Sequence, residues 1–389
     1  MTNLYNRSSV RVAISGMGCV TCAGAGVNSL WRSALEERTG IHSGLGQIPN
    51  RLLSQGNGSR ALTFAMASIS EAMEQAKWSQ LQSTDGLIIA TTTGQISLWE
   101  TELTDFIQKK ISIDGFDEAW KSQTLGSIVG VISKNLNFTG RSLLLSSACS
   151  AATQAVALGS LWIEMGHVKR CLIGGIETLS NLTIEGFKSL QLLSSTHATP
   201  FDQNRNGINL GEGSAFLCLE QNPRLPLATV SGYGMSTDAY HMTAPHPEGR
   251  GSLEAMQMAL RRASLNAEEI GWIHAHGTGS KANDQAEGTA IASLFGVNSP
   301  WTSSTKWVHG HTLGASGAVE SILCVKGLQE QKILKTSGLL QPDPLIHLRH
   351  PENHLEIKIE HVLKNTLGFG GNNAALIFSH PLAEPPRPL

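Results

Sequence analysis

An α/β fold with two related halves is what this sequence predicts, on two observations. Short apolar segments of strand length alternate with longer segments carrying apolar residues at i, i+3, i+4 spacing. A stretch near the start, Val12-Ala-Ile-Ser-Gly-Met-Gly, is echoed by Val230-Ser-Gly-Tyr-Gly-Met-Ser, which points to an old internal duplication. With 389 residues, 41% hydrophobic and 15% charged, the chain has enough apolar material for one large domain or two fused halves.

In chain order, strands are expected at 10–15, 87–90, 143–146, 171–173, 215–219, 272–275, 301–303, 355–359 and 374–378. Helical periodicity covers 62–77, 153–166, 253–264, 284–295 and 315–331. The first strand is expected to enter a glycine turn at Gly16 and Gly18. Residues 92–132, with Trp99 and Trp120 and few strand signals, read as an insertion lying over a sheet edge. The polar, proline-bearing segment 221–226 is the best boundary, giving units 1–224 and 225–389, and the proline-rich end 382–389 reads as a loose tail.

A formal charge of −2 argues against a general nucleic-acid or membrane-surface binder, whose affinity would rest on clustered Lys and Arg. The longest uncharged stretch, 142–163, holds too many Ser, Gln, Thr and Gly residues for a bilayer span and reads as core. Arg7 and Arg11 precede an apolar run that faintly resembles a secretory signal, but Ser15, Gly16 and Gly18 interrupt it, so a cytoplasmic location is expected. Six cysteines in a chain this large do not imply a disulfide framework. Cys19-Val-Thr-Cys22 has metal or redox spacing, yet no second pair completes a zinc site, and the two read as small residues at a turn.

Four segments carry the chemistry. The first is Leu143-Leu-Leu-Ser-Ser-Ala-Cys149-Ser-Ala-Ala, a strand, a cysteine among small residues and then a helix. Helix-start N–H groups are expected there to stabilise a thiolate and lower its pKa. Taken alone, such a cysteine is more often a packed core residue than a nucleophile. Its partners shift that balance.

The second segment, Trp272-Ile-His274-Ala-His276-Gly-Thr278-Gly-Ser280, sets His276 just past a strand end, where α/β proteins place ligands, and leaves His274 in the packing. The third, Ser303-Ser-Thr-Lys306-Trp-Val-His309-Gly-His311, repeats the strand, loop and small-residue helix, with His311 a candidate hydrogen-bond donor and His309 a decoy. The fourth is Asn365-Thr-Leu-Gly-Phe369-Gly370-Gly-Asn-Asn-Ala, a glycine-rich turn before the last strand. Its glycines do not suggest a phosphate loop, because no Gly-Lys-Ser/Thr follows.

Together and in this order, these segments resemble the elongating β-ketoacyl-acyl carrier protein synthases of the thiolase superfamily, of the Cys-His-His type. The resemblance spans nearly the whole chain and includes Gly174-Gly-Ile-Glu177, Pro200-Phe-Asp-Gln-Asn-Arg205-Asn-Gly and Met235-Ser-Thr-Asp-Ala-Tyr-His. It implies a thiolase-like fold of duplicated βαβαβαββ halves in five layers, α-β-α-β-α, and a dimer. It also implies that Cys149 accepts an acyl chain and condenses it with malonyl-carrier protein, in fatty acid or polyketide/polyene synthesis.

By resemblance, Cys149 and Phe369 N–H groups form the oxyanion hole, and His276 and His311 hold the enolate. Lys306 tunes the site with Glu320 as its pair, and Phe369 gates. Thr278, Ser280 and Gly370 contact the pantetheine arm, while Arg205 and Arg60 help dock the carrier. Ser280 departs from the threonine usual in the family, and of the basic docking run only Arg51 and Arg60 remain. No metal and no cofactor beyond the phosphopantetheine on the carrier is implied.

Two rival enzymes fit less well, since a degradative thiolase needs a second cysteine near Phe369 and a Cys-His-Asn synthase needs Asn at position 311. A non-catalytic chain-length-factor subunit is the alternative from another class, and it usually lacks the nucleophile that Cys149 supplies here. The partner could accordingly be a second copy or a chain-length-factor-like paralogue.

Overall fold

The computed structural model describes residues 10–50, 59–120 and 123–383. Ten strands form the body of one sheet: β1 (Val12–Thr21), β2 (Gly86–Ala90), β3 (Arg141–Leu145), β4 (Arg170–Glu177), β5 (Gly213–Gln221), β6 (Ala228–Thr237), β7 (Trp272–His274), β8 (Trp301–Ser303), β9 (His361–Leu367) and β10 (Asn372–Ser379). Among the described residues the helices are α1 (Val27–Leu35), α2 (Arg60–Ala76), α3 (Ile96–Ile107), α4 (Ile113–Trp120), α5 (Ser127–Asn135), α6 (Ala151–Glu164), α7 (Asn181–Ser189), α8 (Arg250–Ala263), α9 (Lys281–Phe295), α10 (Lys306–His309) and α11 (Ser316–Glu330).

The strand order across the sheet is β8-β7-β9-β10-β6-β1-β5-β4-β2-β3. Counted within each half, both read third, second, fourth, fifth, first, so the halves share one topology. They meet where β1 and β6 pair antiparallel, Ala13 opposite Thr229 and Ile14 opposite Ala228. The chain passes from one half to the other between Gln221 and Ala228.

Layering follows from burial. Helices α6 and α11 pack on each other between the two sheet halves, and nearly all of α11 is buried, so its sequence is apolar or small all round rather than amphipathic. On the outer faces, α2 covers β1 and β5, while α8 covers β6 and β10. These are five layers, α-β-α-β-α.

One expectation is corrected here. Gly16 and Gly18 do not form a turn but sit inside β1, which runs on to Thr21 past a register shift between Ile14 and Gly16. They are needed because α2 lies directly on the strand. A Cβ at Gly16 would fall on the Ala72 carbonyl oxygen, and one at Gly18 on that of Ser68. The second half repeats the arrangement on α8, Gly232 against the Ala259 carbonyl and Gly234 against that of Ala255. The sequence echo is thus a packing requirement, a bare backbone under a close helix.

Residues 92–132 hold helices α3, α4 and α5, with α5 packed on α2 and on the edge strand β3. Cys19 belongs to β1 and Cys22 follows it, and all six cysteines are free and buried. The expected strand at 355–359 shrinks to Leu355–Glu356, while β9 and most of β6 were not anticipated. Arg51 and the tail from 384 lie outside the described residues.

Gly18→Ala and Gly234→Ala should each destabilise the protein by about 1–3 kcal/mol, the cost of overpacking against a fixed helix backbone. Thermal denaturation reads this, and an unchanged midpoint in both would contradict the close-packing account.

Candidate active site

Cys149 sits in the turn between β3 and α6. The turn is tight because Ala148 adopts φ 50°, in the left-handed region, and Ser150 Oγ donates to the Ser147 carbonyl at 2.8 Å. Small side chains on both sides leave the sulfur approachable from one direction, although Cys149 is only 4% exposed. From β9, the turn Gly368–Gly371 brings the Phe369 N–H to hydrogen-bond the sulfur. Gly370 and Gly371, at φ 76° and 74°, provide the reversal.

Two imidazoles complete the cluster. His311 Nε2 lies 3.0 Å from the Cys149 sulfur, and its Nδ1 lies 2.9 Å from Ser316 Oγ. The His276 ring stands edge-on to it, with centroids 5.1 Å apart and planes at 81°. The cysteine sulfur and one nitrogen of each ring all lie within 4.8 Å of one another. His274 and His309 point elsewhere, both reaching Thr305 Oγ1 at 3.0 Å.

The expected low thiol pKa is corrected by burial. Desolvation pushes the Cys149 thiol up to about 12, outweighing the lowering pull of the Lys306 ammonium and the Phe369 N–H. Desolvation likewise drives both His276 and His311 well below the ordinary imidazole value, with Lys306 adding to the effect. All three groups are therefore uncharged at neutral pH. For His276 the tautomer also follows: Lys306 Nζ, a donor, faces Nδ1 at 3.4 Å, which leaves the proton on Nε2.

Behind the rings lies a buried polar network. Lys306 donates to the His276 carbonyl at 2.6 Å and pairs with Glu320 Oε1. Glu320 also meets Lys364 of β9, whose Nζ lies 2.6 Å from Oε2. Burial alone would raise the Glu320 carboxyl, but the two ammoniums hold it well below its ordinary range. Glu287 accepts the N–H groups of His276 at 2.7 Å and Gly277 at 2.8 Å, fixing the loop that carries His276, and the Asn365 amide at 2.8 Å. Burial raises the Glu287 carboxyl to about 7 despite those donors. Glu177 joins the halves, accepting Thr92 N–H at 2.9 Å from the first and Gly314 N–H at 3.0 Å from the second. Sequence reasoning missed Lys364 and Glu287 and gave Asn365 no role beyond the glycine-rich turn; a lysine and an asparagine breaking an apolar stretch at 362–367 were the signal available.

A cavity of about 750 Å³ opens onto the cluster, lined by Cys149, His276, Thr278, Ser280, His311 and Phe369 among others. Thr278 and Ser280 meet at 3.2 Å on its wall. Gly370 donates its N–H to the Met242 carbonyl at 2.7 Å, beside the rim. The Phe369 ring stacks on Phe187, centroids 5.5 Å apart, across the cavity wall.

Neither arginine expected at a docking surface is free. Arg205 is buried, paired with Asp343 at 2.6 Å and Asp284 at 3.6 Å. Arg60 pairs with the buried Glu212 and donates to the Ile48 carbonyl. Arg205 is thus paired inside the protein, whereas the Arg60 side chain stays 23% exposed while paired with Glu212.

Comparison with known proteins gives a consistent picture. Residues 54–224 match the family described as Beta-ketoacyl synthase, N-terminal domain, and 227–339 match Beta-ketoacyl synthase, C-terminal domain. The chain is 30% identical to 3-oxoacyl-[acyl-carrier-protein] synthase 2 of Synechocystis, over 96% of this chain and 99% of that one. Among solved structures, a ketosynthase in complex with its chain length factor from Xenorhabdus doucetiae superposes with a TM-score of 0.86 at 31% identity, covering 98% of this chain and 100% of that one. A type II polyketide acyl-carrier protein complex with its ketosynthase gives 0.86 at 25% identity, covering 95% and 99%.

A thiol raised by burial should react with iodoacetamide at a rate that climbs with pH through about pH 9 without levelling off. Peptide mass analysis reads the Cys149 adduct; a plateau reached below about pH 8 would contradict the neutral resting thiol.

Proposed function

The chain belongs to the β-ketoacyl synthase family, and we propose that it is an elongating 3-oxoacyl-[acyl-carrier-protein] synthase whose nucleophile is Cys149. The observation that carries this reading is the meeting of the Cys149 sulfur with the His276 and His311 rings on one cavity.

In the first half-reaction the Cys149 sulfur attacks the acyl thioester of a carrier-bound pantetheine. The C–S bond to pantetheine breaks and its sulfur takes the proton that Cys149 loses. The tetrahedral oxyanion is held by the N–H groups of Cys149 and Phe369, each such donor being worth about 3–4 kcal/mol. Malonyl thioester then enters along the wall formed by Thr278 and Ser280, past the rim beside Gly370. Its carboxylate leaves as carbon dioxide, and the bonding pair becomes an enolate whose oxygen accepts from the Nε2–H groups of His276 and His311.

Neutral donors suit that step, because they stabilise the developing negative charge without handing the enolate a proton that would quench it before it attacks. The enolate carbon attacks the acyl carbonyl on Cys149, the C–S bond breaks, and the sulfur is reprotonated. The product is a 3-oxoacyl chain two carbons longer. Lys306 and Glu320 orient His276, and Phe369, stacked on Phe187, gates the acyl side. The thioester arm arrives with the carrier protein, and this chemistry calls for no further cofactor or metal.

We place the boundary between the two units at 224/225. The edge strand β3 is paired on one side only, which fits addition of a strand from a second copy or from a chain-length-factor-like paralogue. A chain-length-factor role for this chain itself is the weaker reading, because the nucleophile and both donors are retained. Free, buried cysteines fit a reducing cytoplasm; among the described residues no helix is long and apolar enough to cross a membrane.

Purified protein incubated with acyl- and malonyl-carrier protein should give a 3-oxoacyl product, and Cys149→Ala should abolish it. Unchanged condensation in that variant would overturn the assignment. His311→Ala should still acquire an acyl group by intact mass while decarboxylation falls by about 10²–10³-fold; loss of acylation alone would contradict the division of roles.

A further inference from the structure

Lys364 is fully buried on β9, four residues before the turn that delivers Phe369 to Cys149, and no step above uses it. Its Nζ donates to the Asn365 carbonyl at 2.8 Å and to Thr366 Oγ1, and it meets Glu320 Oε2 at 2.6 Å as a charge contact off the hydrogen-bond line. Thr366 Oγ1 in turn lies 2.9 Å from Thr153 Oγ1, in the first turn of the helix behind Cys149. The other oxygen of Glu320 holds Lys306, which contacts His276.

One carboxylate thus serves two ammoniums in a space closed to water. A lone buried Lys–Glu pair is close to neutral at a distance, whereas two lysines on one glutamate leave a net positive charge. Burying a lysine with no compensating use would be costly.

We propose that Lys364 is a positioning residue for the condensation reaction: by sharing Glu320 it leaves Lys306 incompletely neutralised beside His276, and it ties the Phe369 strand and the Cys149 helix to that same charge. This rests on the reading of the site given above. The groups facing this charge are Glu320 and Cys324 on α11, Lys306 and His309 on α10, His274 at the end of β7, and His276 and His311 around the cavity, with Glu287 on α9 behind the His276 loop. Burial, Lys306 and a neighbouring imidazole (His311 for His276, His309 for His311) hold the two rings below the ordinary imidazole range, and Lys364 adds a smaller push in the same direction. Its effect is to keep both rings neutral, so that Nδ1 of His276 stays free to accept from Lys306.

Lys364→Gln keeps a polar group and removes the charge; Lys364→Met removes both. Wild-type condensation and Cys149 acylation are measured first, and their absence would count against the enzyme reading itself, not this inference. Given an active wild type, both variants should still acylate Cys149, with a smaller loss there than in decarboxylation. Decarboxylation at pH 7, where both rings are neutral in either protein, should fall by about tenfold through loss of the tie that aligns Lys306 and His276, and separately the acid limb of its pH profile should move upward by about half a unit or more, since the histidines then take up a proton more readily. A lowered melting temperature with an unmoved pH profile and unchanged decarboxylation would reduce Lys364 to a structural residue and overturn the proposal.

If neither variant folds, the wild-type protein labelled with ¹⁵N-lysine decides the matter. Two slowly exchanging buried ammonium signals at pH 7 support the shared charge, and a neutral amine at either position overturns it.

Discussion

Exclusion of water around Cys149, His276 and His311 is the constraint on which the rest of the structure depends. It sets the protonation of all three groups, pushing the thiol up to about 12 and both imidazoles well down, so that the resting site carries donors rather than ions. A helix start would favour a thiolate if the sulfur were wet. Here desolvation is the larger effect, and the thiol's activation has to come during attack rather than before it.

The fold exists, in functional terms, to bring three strand ends to that dry space. Cys149 follows β3 in the first half, while His276 follows β7 and the loop after β8 carries His311 in the second. Because the halves repeat one topology and pack through the buried pair α6 and α11, the ends of strands far apart in sequence face a common void. Glycines under α2 and α8 allow those helices to lie on the sheet, and carboxylates hold the loops from behind: Glu177 on the first half, Glu287 and Glu320 on the second. Each of these acids accepts from backbone N–H groups or pairs with lysine, which is how a buried polar site escapes the cost of unsatisfied groups.

The α/β class, the duplication and the four chemical segments were legible because each couples an apolar strand to a run of small residues, a pattern that periodicity exposes. What escaped was legible only in three dimensions. Lys364 and Asn365 interrupt β9 with polar side chains, which in one dimension looks like a loop or a solvent-facing strand; they are buried because Glu320 and Glu287 receive them. Gly16 and Gly18 look like a turn because glycine serves both turns and close helix contacts. Arg205 and Arg60 look like surface cations, and only the positions of Asp343, Asp284 and Glu212 reveal internal pairing. Among the described residues of helices α3 to α5, only those of α5 reach the core, through the buried Ile128 and Ile132.

The account's central claim is that both active-site imidazoles rest neutral, with the proton of His276 on Nε2. Selective ¹⁵N-histidine NMR of the wild-type protein at pH 6.5 tests it most directly. The predicted result is a neutral ring at both positions, with His276 as the Nε2–H tautomer and its Nδ1 unprotonated; an imidazolium at either position, or a proton on Nδ1 of His276, would contradict it.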